Sequence, residues 1–301
     1  MTSLRRALRP WLHAIRPRTL PLALASIIMA AFLAAADQAF DPLVILLASL
    51  TAICLQILSN LANDYGDFKH GIDHAGRQGP VRVMESGQVT EAAMRRAILL
   101  FILLSVNFGL AVVVIGVEPS HWFYFGVIGA AAVGAALTYT MGARPYGYAG
   151  LGDLAVLIFF GWAGVLGAYY LQTQRLSWAL LLPATSCGLL AVGVLNVNNI
   201  RDMNSDRQAG KRSIPVRLGL VRARMYHWLL IVSAAGAALT YVLITGPRVP
   251  QLLFVIVLPL LWRHGQAVTQ AQKPQDLNRQ LKQLAQITLL FVLSFGIGQV
   301  W

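Results

Sequence analysis

Two groups of amide and carboxylate side chains stand at the ends of long apolar runs: Asn60, Asn63, Asp64 and Asp67 in the first, Asn198, Asn199, Asp202 and Asp206 in the second. Asn63 to Asp67, and Asn198 to Asp202 to Asp206, are steps of four, which on a helix put side chains on one face. Converging carboxylate and amide oxygens suit a hard divalent cation, Mg²⁺ above all, and through it a phosphate. Each group runs on into basic residues, Arg77 and Arg82 after the first, Arg207, Lys211, Arg212 and Arg217 after the second. Acids followed by bases are the arrangement that binds a diphosphate: the carboxylates hold metal and the cations take the remaining phosphate charge. Any one of these residues could simply make a turn. Two such groups beside apolar spans point to function, because acids there are costly to keep.

The elements that must position these groups are membrane helices. The chain has 301 residues, 57% of them hydrophobic and 12% charged, with a mean hydropathy of +0.62. A soluble domain carries about twice that share of charge. Nine apolar segments are expected, at about 20–36, 42–61, 97–117, 122–139, 151–171, 178–195, 228–244, 251–262 and 287–301, several ending in Trp or Tyr. An all-α polytopic membrane protein with one domain over 1–301 is the fold expected.

The net charge of +12 does not indicate nucleic acid. With nine spans, 22 of the 24 Lys and Arg residues fall on one side, leaving only Arg175 and Arg248 on the other. The positive-inside rule then makes the N-terminus cytoplasmic, with 1–19 as a cytoplasmic arm. The long loops 62–96 and 196–227, which carry both acidic groups, lie on the same side. Cys54 and Cys187 sit in apolar segments and form no redox or zinc pattern.

The acidic groups and their surroundings resemble the UbiA superfamily of membrane prenyltransferases. Asn63-Asp64-x-x-Asp67 after the second span and Asp202-x-x-x-Asp206 after the sixth carry the resemblance, which extends over the whole chain. The strings at 59–67, 144–148, 150–153, 198–202 and 216–219 look like a branch whose acceptor is 1,4-dihydroxy-2-naphthoate. The resemblance implies a UbiA-like helical bundle in the inner (cytoplasmic) membrane, its active site facing the cytoplasm. It implies Mg²⁺-dependent transfer from a polyprenyl diphosphate, with loss of CO₂ and diphosphate, to give demethylmenaquinone.

Carried onto this sequence, it makes Asn63, Asp64, Asp67, Asp202 and Asp206 the metal ligands. Asn60, Arg77, Arg82 and Lys211 would bind the donor. Tyr139 and Tyr146, with Tyr65 and Phe68 as further candidates, offer aromatic faces to an allylic cation. Arg144 would pair with the acceptor carboxylate or a phosphate. Two departures stand out: Gly71 occupies the place of the family's last acidic residue, with Asp73 two positions on, and after Gly210-Lys211, where the branch has Thr-Leu, this chain has Arg212, Ser213, Ile214 and Pro215. A 4-hydroxybenzoate acceptor is the alternative within the class. An ion-coupled transporter is the rival from another class, but transporters place their acids near mid-span, and here they gather at one face.

Four lesser features carry structural expectations. His70 and His74 lack a third ligand for zinc and read as loop residues. Gln56 is one turn before Asn60 and reads as a cavity or interhelix residue. Asp153 reads as a helix-start acid. The glycines at 126–134 read as close helix packing.

Overall fold

The computed structural model describes residues 3–71 and 82–301, the first five of these by backbone only. Arg77, Asp73 and His74, three of the residues singled out above, lie outside the described residues. Among those described, nine helical segments are long and apolar enough to cross a membrane.

The chain opens with an amphipathic helix, α1 (Ser3–Ile15). Trp11, Ala14 and Ile15 pack onto Leu58 and Leu61, while Leu8 and Leu12 stay exposed. An elbow, Pro17–Thr19, turns the chain into the first span, α2 (Leu20–Ala36). The second span, α3 (Pro42–Lys69), starts on the Asp41 side chain, which accepts from the backbone N–H groups of Leu43 and Val44. At 28 residues it continues well beyond the apolar run. Its last two turns therefore carry Asn63, Asp64 and Asp67 as helical residues, not as the loop expected from 62 onward. Thr90 caps α4 (Glu91–Gly116), and α5 (Trp122–Thr138) follows a short turn.

The fifth span begins as α6 (Gly152–Val156), passes through a π-helical stretch, Leu157–Leu166, and ends as α7 (Gly167–Thr173). The widened stretch is pressed into its neighbours: a methyl group on Gly161 would stand 2.7 Å from the Ala184 carbonyl oxygen. The Ser26 hydroxyl donates to the Phe160 carbonyl there, tying the span to α2. The sixth span, α8 (Leu181–Arg201), also runs past its apolar limit. Of the connection expected as a loop at 196–227, α8 and the seventh span take the two ends, and two short helices, α9 (Met203–Gln208) and α10 (Ile214–Leu218), lie between them.

The last three spans are α11 (Leu220–Ile244), a 3₁₀ stretch Val249–Val257 leading into α12 (Leu258–Gln270), and α13 (Asp276–Val300). A buried polar chain joins them to α8. The Asn196 amide reaches the Ala223 carbonyl at 3.2 Å and His227 Nδ1 at 3.4 Å, and His227 Nε2 lies 3.1 Å from His264 Nε2.

Packing is uneven around the bundle. Helix α13 is clamped against α2, α8 and the 3₁₀ stretch of the eighth span. By contrast, α5 has no fully buried side chain and packs mainly on α3 and α4. Its glycines do not serve close packing, contrary to the sequence expectation: a Cβ added at Gly126, Gly129 or Gly134 would meet nothing within 4 Å. They thin a wall instead.

Candidate active site

That wall encloses a cavity of about 1280 Å³ running along the bundle from the α1–α2 elbow to Trp122 and Leu171 at the opposite end of the spans. Its polar end receives both acidic groups. Asn60, Asn63, Asp64 and Asp67 reach it from the overshooting end of α3, Asn198 and Asp202 from the end of α8, and Asp206 from α9. The steps of four thus do what the sequence implied, with helix in place of loop. Beyond them the lining turns apolar, with Phe125 and Val133 of α5 and Phe159 and Phe160 of the π-helical stretch among its residues.

Each carboxylate is locked to a cation. Arg82 donates Nη1 to the Asn63 carbonyl at 2.7 Å, pairs through Nη2 with Asp67 and lies 3.7 Å from Asp64. Arg201 grips Asp202 with two donors, Nε at 2.8 Å and Nη2 at 2.6 Å. Its remaining reach goes to Asn198 at 2.9 Å and to Asn278 of α13 at 3.0 Å. Lys211 lies 3.4 Å from Asp206, whose other oxygen accepts from Ser213 at 3.5 Å. The two halves are stitched by Tyr148. Its hydroxyl donates to Asp67 at 2.5 Å, its ring lies 5.9 Å from Lys211 Nζ, and its carbonyl accepts the Arg212 N–H at 2.8 Å.

The electrostatics show crowded acids. Burial pushes the Asp206 carboxyl up from its ordinary range; Lys211 opposes this, and the charges of Asp202 and Asp67 add to it. Burial would pull Lys211 down, but Asp206, Tyr139 and Asp67 outweigh it and hold the ammonium up at about 12. Burial also raises the phenols of Tyr139 and Tyr146. At Asp67 burial is outweighed by the charges of Arg82 and Lys211 and by the Tyr148 hydroxyl, which hold its carboxyl below the ordinary range. Carboxylate and amide oxygens gathered at one end of a cavity fit a hard divalent cation. Among the described residues no three His, Cys, Asp or Glu side chains already converge on one point. The expected ligand sets are therefore interleaved with Arg82, Arg201 and Lys211, and not preassembled.

The expected substrate contacts divide. Tyr139 and Tyr146 line the cavity with ring centroids 5.4 Å apart at 74°, and the Tyr146 hydroxyl is committed to the Ala135 carbonyl at 3.0 Å. Asn60 lines it too, but its amide donates to the Ile15 carbonyl at 2.8 Å and to Thr19 at 3.0 Å, so it anchors the elbow, with Gln56 donating to it at 3.2 Å.

Arg144 is not brought to the site: it is exposed on the turn after α5 and outside the cavity lining. The turn ahead of Pro145 faces water, so the charge snorkels outward. Tyr65 and Phe68 are also absent from the lining; the Tyr65 hydroxyl donates to Glu91 at 3.1 Å and Phe68 is exposed. His70 is satisfied by the Gly66 carbonyl at 2.8 Å. Asp153 stands in the first turn of α6, as the sequence implied; it makes no side-chain cap and accepts from Tyr226 at 3.0 Å, which adds an interhelix tie.

Sequence reasoning missed Arg201, Tyr148 and Thr140. Thr140 donates to the Ala62 carbonyl at 3.1 Å and to Asn63 Oδ1 at 3.2 Å. Arg201 and Tyr148 lie in the strings 198–202 and 144–148 that carry the resemblance, which was the signal available for them; Thr140 acts across 77 residues of chain and lies in none.

Known proteins share both the sequence and the fold. The profile of the UbiA prenyltransferase family matches residues 23–292. The 1,4-dihydroxy-2-naphthoate octaprenyltransferase of Escherichia coli (strain K12) is 46% identical over 289 residues, 96% of this chain and 94% of that protein. The protein of the same name from Haemophilus influenzae is 43% identical over 294 residues, covering 97% and 96%. Among solved structures, a UbiA homolog from Archaeoglobus fulgidus bound to GPP and Mg²⁺ superposes with a TM-score of 0.67 at 15% identity, covering 97% of this chain and 99% of that one.

Proposed function

The chain belongs to the UbiA prenyltransferase family, and from that premise we propose the reaction its cavity performs: Mg²⁺-dependent transfer of a polyprenyl group from its diphosphate to 1,4-dihydroxy-2-naphthoate. CO₂ and diphosphate leave, and the product is demethylmenaquinol, the hydroquinone form of demethylmenaquinone. The observation that carries this reading is the single cavity whose one end holds four carboxylates and their cations while the rest is apolar. A diphosphate head on an isoprenoid tail has that same division of polarity.

In the reaction, the allylic C–O bond breaks and its electron pair leaves with the diphosphate. The ring carbon bearing the acceptor carboxylate supplies the pair for the new C–C bond. The C–CO₂ bond then returns its pair to the ring, so no net proton is required. Asn63, Asp64, Asp67, Asp202 and Asp206 are the residues that would hold Mg²⁺, which when bound neutralises charge on the leaving group. Arg82, Arg201 and Lys211 stand beside those acids as donors to phosphate oxygens. The faces of Tyr139 and Tyr146 stabilise positive charge at the allylic carbon. The apolar wall keeps water from capturing that cation and holds the tail. This end faces the cytoplasm, a reading supported by the 22 to 2 division of basic residues.

The test is transfer of a radiolabelled prenyl group to 1,4-dihydroxy-2-naphthoate by purified protein. Product is expected with Mg²⁺ and none with EDTA. Equal product with EDTA, or transfer to 4-hydroxybenzoate instead, overturns the reading.

A further inference from the structure

The proposed reaction brings two anions into one cavity, a diphosphate and an aromatic carboxylate, and they repel unless each has its own cation. The cations beside the acidic groups are already engaged there: Arg82 with Asp67, Arg201 with Asp202, Lys211 with Asp206. Arg144, the sequence's choice for the carboxylate, is outside the cavity. The lining's other Arg and Lys side chains are Arg16 and Arg18 on the elbow and Lys282 on α13, and the lysine suits the task. Lys282, on the second turn of α13, is exposed at the polar end and, among the described residues, has no hydrogen-bond or ion-pair partner.

Its surroundings are built, not incidental. Leu281 and Ala285 of the same helix also line the cavity, which gives a flat ring an apolar surface beside the charge. Helix α13 packs here against the elbow, which brings Arg16 and Arg18 to the same lining. The elbow is held under strain. Arg16 takes the left-handed conformation at φ 53°, uncommon for a residue with a side chain. Asn60 fixes the chain on both sides of it, at Ile15 and Thr19, and the Thr19 hydroxyl donates to the Arg16 carbonyl at 2.9 Å. Four residues before Lys282, on the same face of α13, Asn278 accepts from Arg201, which holds Asp202. Lys282 is thus indexed to the second acidic group through a short chain of contacts.

We propose that Lys282, at the mouth formed by the start of α13 and the elbow, is the subsite for the acceptor's carboxylate. This rests on the reaction proposed above and adds the place where its second substrate is recognised. The residue type suits the chemistry. A carboxylate that must depart as CO₂ should be positioned without being held hard, because ground-state stabilisation of the charge raises the barrier to losing it. A hydrated lysine at a cavity mouth supplies a point charge, where an arginine fork would bind the carboxylate at two points.

The experiment is steady-state kinetics of Lys282→Gln and Lys282→Arg against wild type, with the exposed Lys273→Gln, outside the lining, as control. Lys282→Gln should raise the KM for 1,4-dihydroxy-2-naphthoate about fivefold to tenfold, the size of one lost charge contact at a partly wet site. The KM for the prenyl diphosphate should not move. Lys282→Arg should recover the acceptor KM. With 1,4-dihydroxynaphthalene, which lacks the carboxylate, wild type and Lys282→Gln should have the same KM. An unchanged acceptor KM, an equal rise with the carboxylate-free acceptor, or a shift confined to the donor KM overturns the proposal. If wild type forms no product, the reaction proposed above fails, and the subsite is read separately from the binding of 1-hydroxy-2-naphthoate by fluorescence. Weaker binding to Lys282→Gln supports it, and equal binding overturns it.

Discussion

Asp67 is addressed from two sides, by Arg82 and by the Tyr148 hydroxyl. Removing it therefore has two separable effects. Asp67→Ala takes away part of the carboxylate charge around a buried guanidinium, at a cost of about 1–3 kcal/mol in stability. It also takes an oxygen donor from the diphosphate end, and turnover should fall by at least about a hundredfold. Combining Asp67→Asn with Arg82→Gln should restore the melting temperature in detergent but leave turnover lost; recovery of both would show that Asp67 serves only to hold Arg82. The acidic groups were legible because one helix face is a local property of sequence. Their counter-charges were only half legible. Arg82 and Lys211 follow their acids along the chain, whereas the grip of Arg201 depends on Asn278, and the position of Lys282 on how α13 meets the elbow.

At the scale of elements, the polar last turns of α3 work because that helix comes very close to the turn after α5. A Cβ at Gly66 would stand 2.6 Å from both the Thr140 carbonyl oxygen and its hydroxyl. Gly66→Ala should force the two elements apart at a cost of about 1–3 kcal/mol. Because Gly66 lies between Asp64 and Asp67, turnover should drop more than the melting temperature suggests; a variant with full turnover would show that the contact does not position them. Helix α5 predicts the opposite behaviour. Gly129→Ala should be neutral or stabilising by up to about 1 kcal/mol, since it removes a poor helix former and meets nothing. Gly129→Trp should narrow the apolar channel and slow transfer from long-tailed donors much more than from geranyl diphosphate. Equal slowing of both would place the tail elsewhere. Neither the helical extension of α3 nor the looseness of α5 is visible in hydropathy. Hydropathy records where a span can sit in lipid, and it does not record how far a helix continues in water or what its glycines face.

For the whole molecule, span count was the most legible feature, because apolar length is summed over many residues. Nine spans were expected and nine are present among the described residues. Orientation is checked by single-cysteine labelling with an impermeant maleimide on intact and opened cells. Cys54 and Cys187 are buried and should stay silent. A cysteine at the exposed position 69 should label only after opening, and one at position 175 in intact cells as well; the reverse pattern would invert the protein. The cavity itself has a consequence at this scale. Its charged end is lined by exposed residues of α1, the elbow and α13, and α5, with no buried side chain, forms a wall along its apolar length. One reactant therefore arrives dissolved in a volume and the other spread over a surface, and the products part the same way, diphosphate and CO₂ into water and the quinol into the bilayer. The rate should follow the mole fraction of donor in the membrane and not its concentration per litre: adding inert phospholipid at a fixed amount of donor should slow the enzyme, as dilution slows an ordinary reaction in a flask.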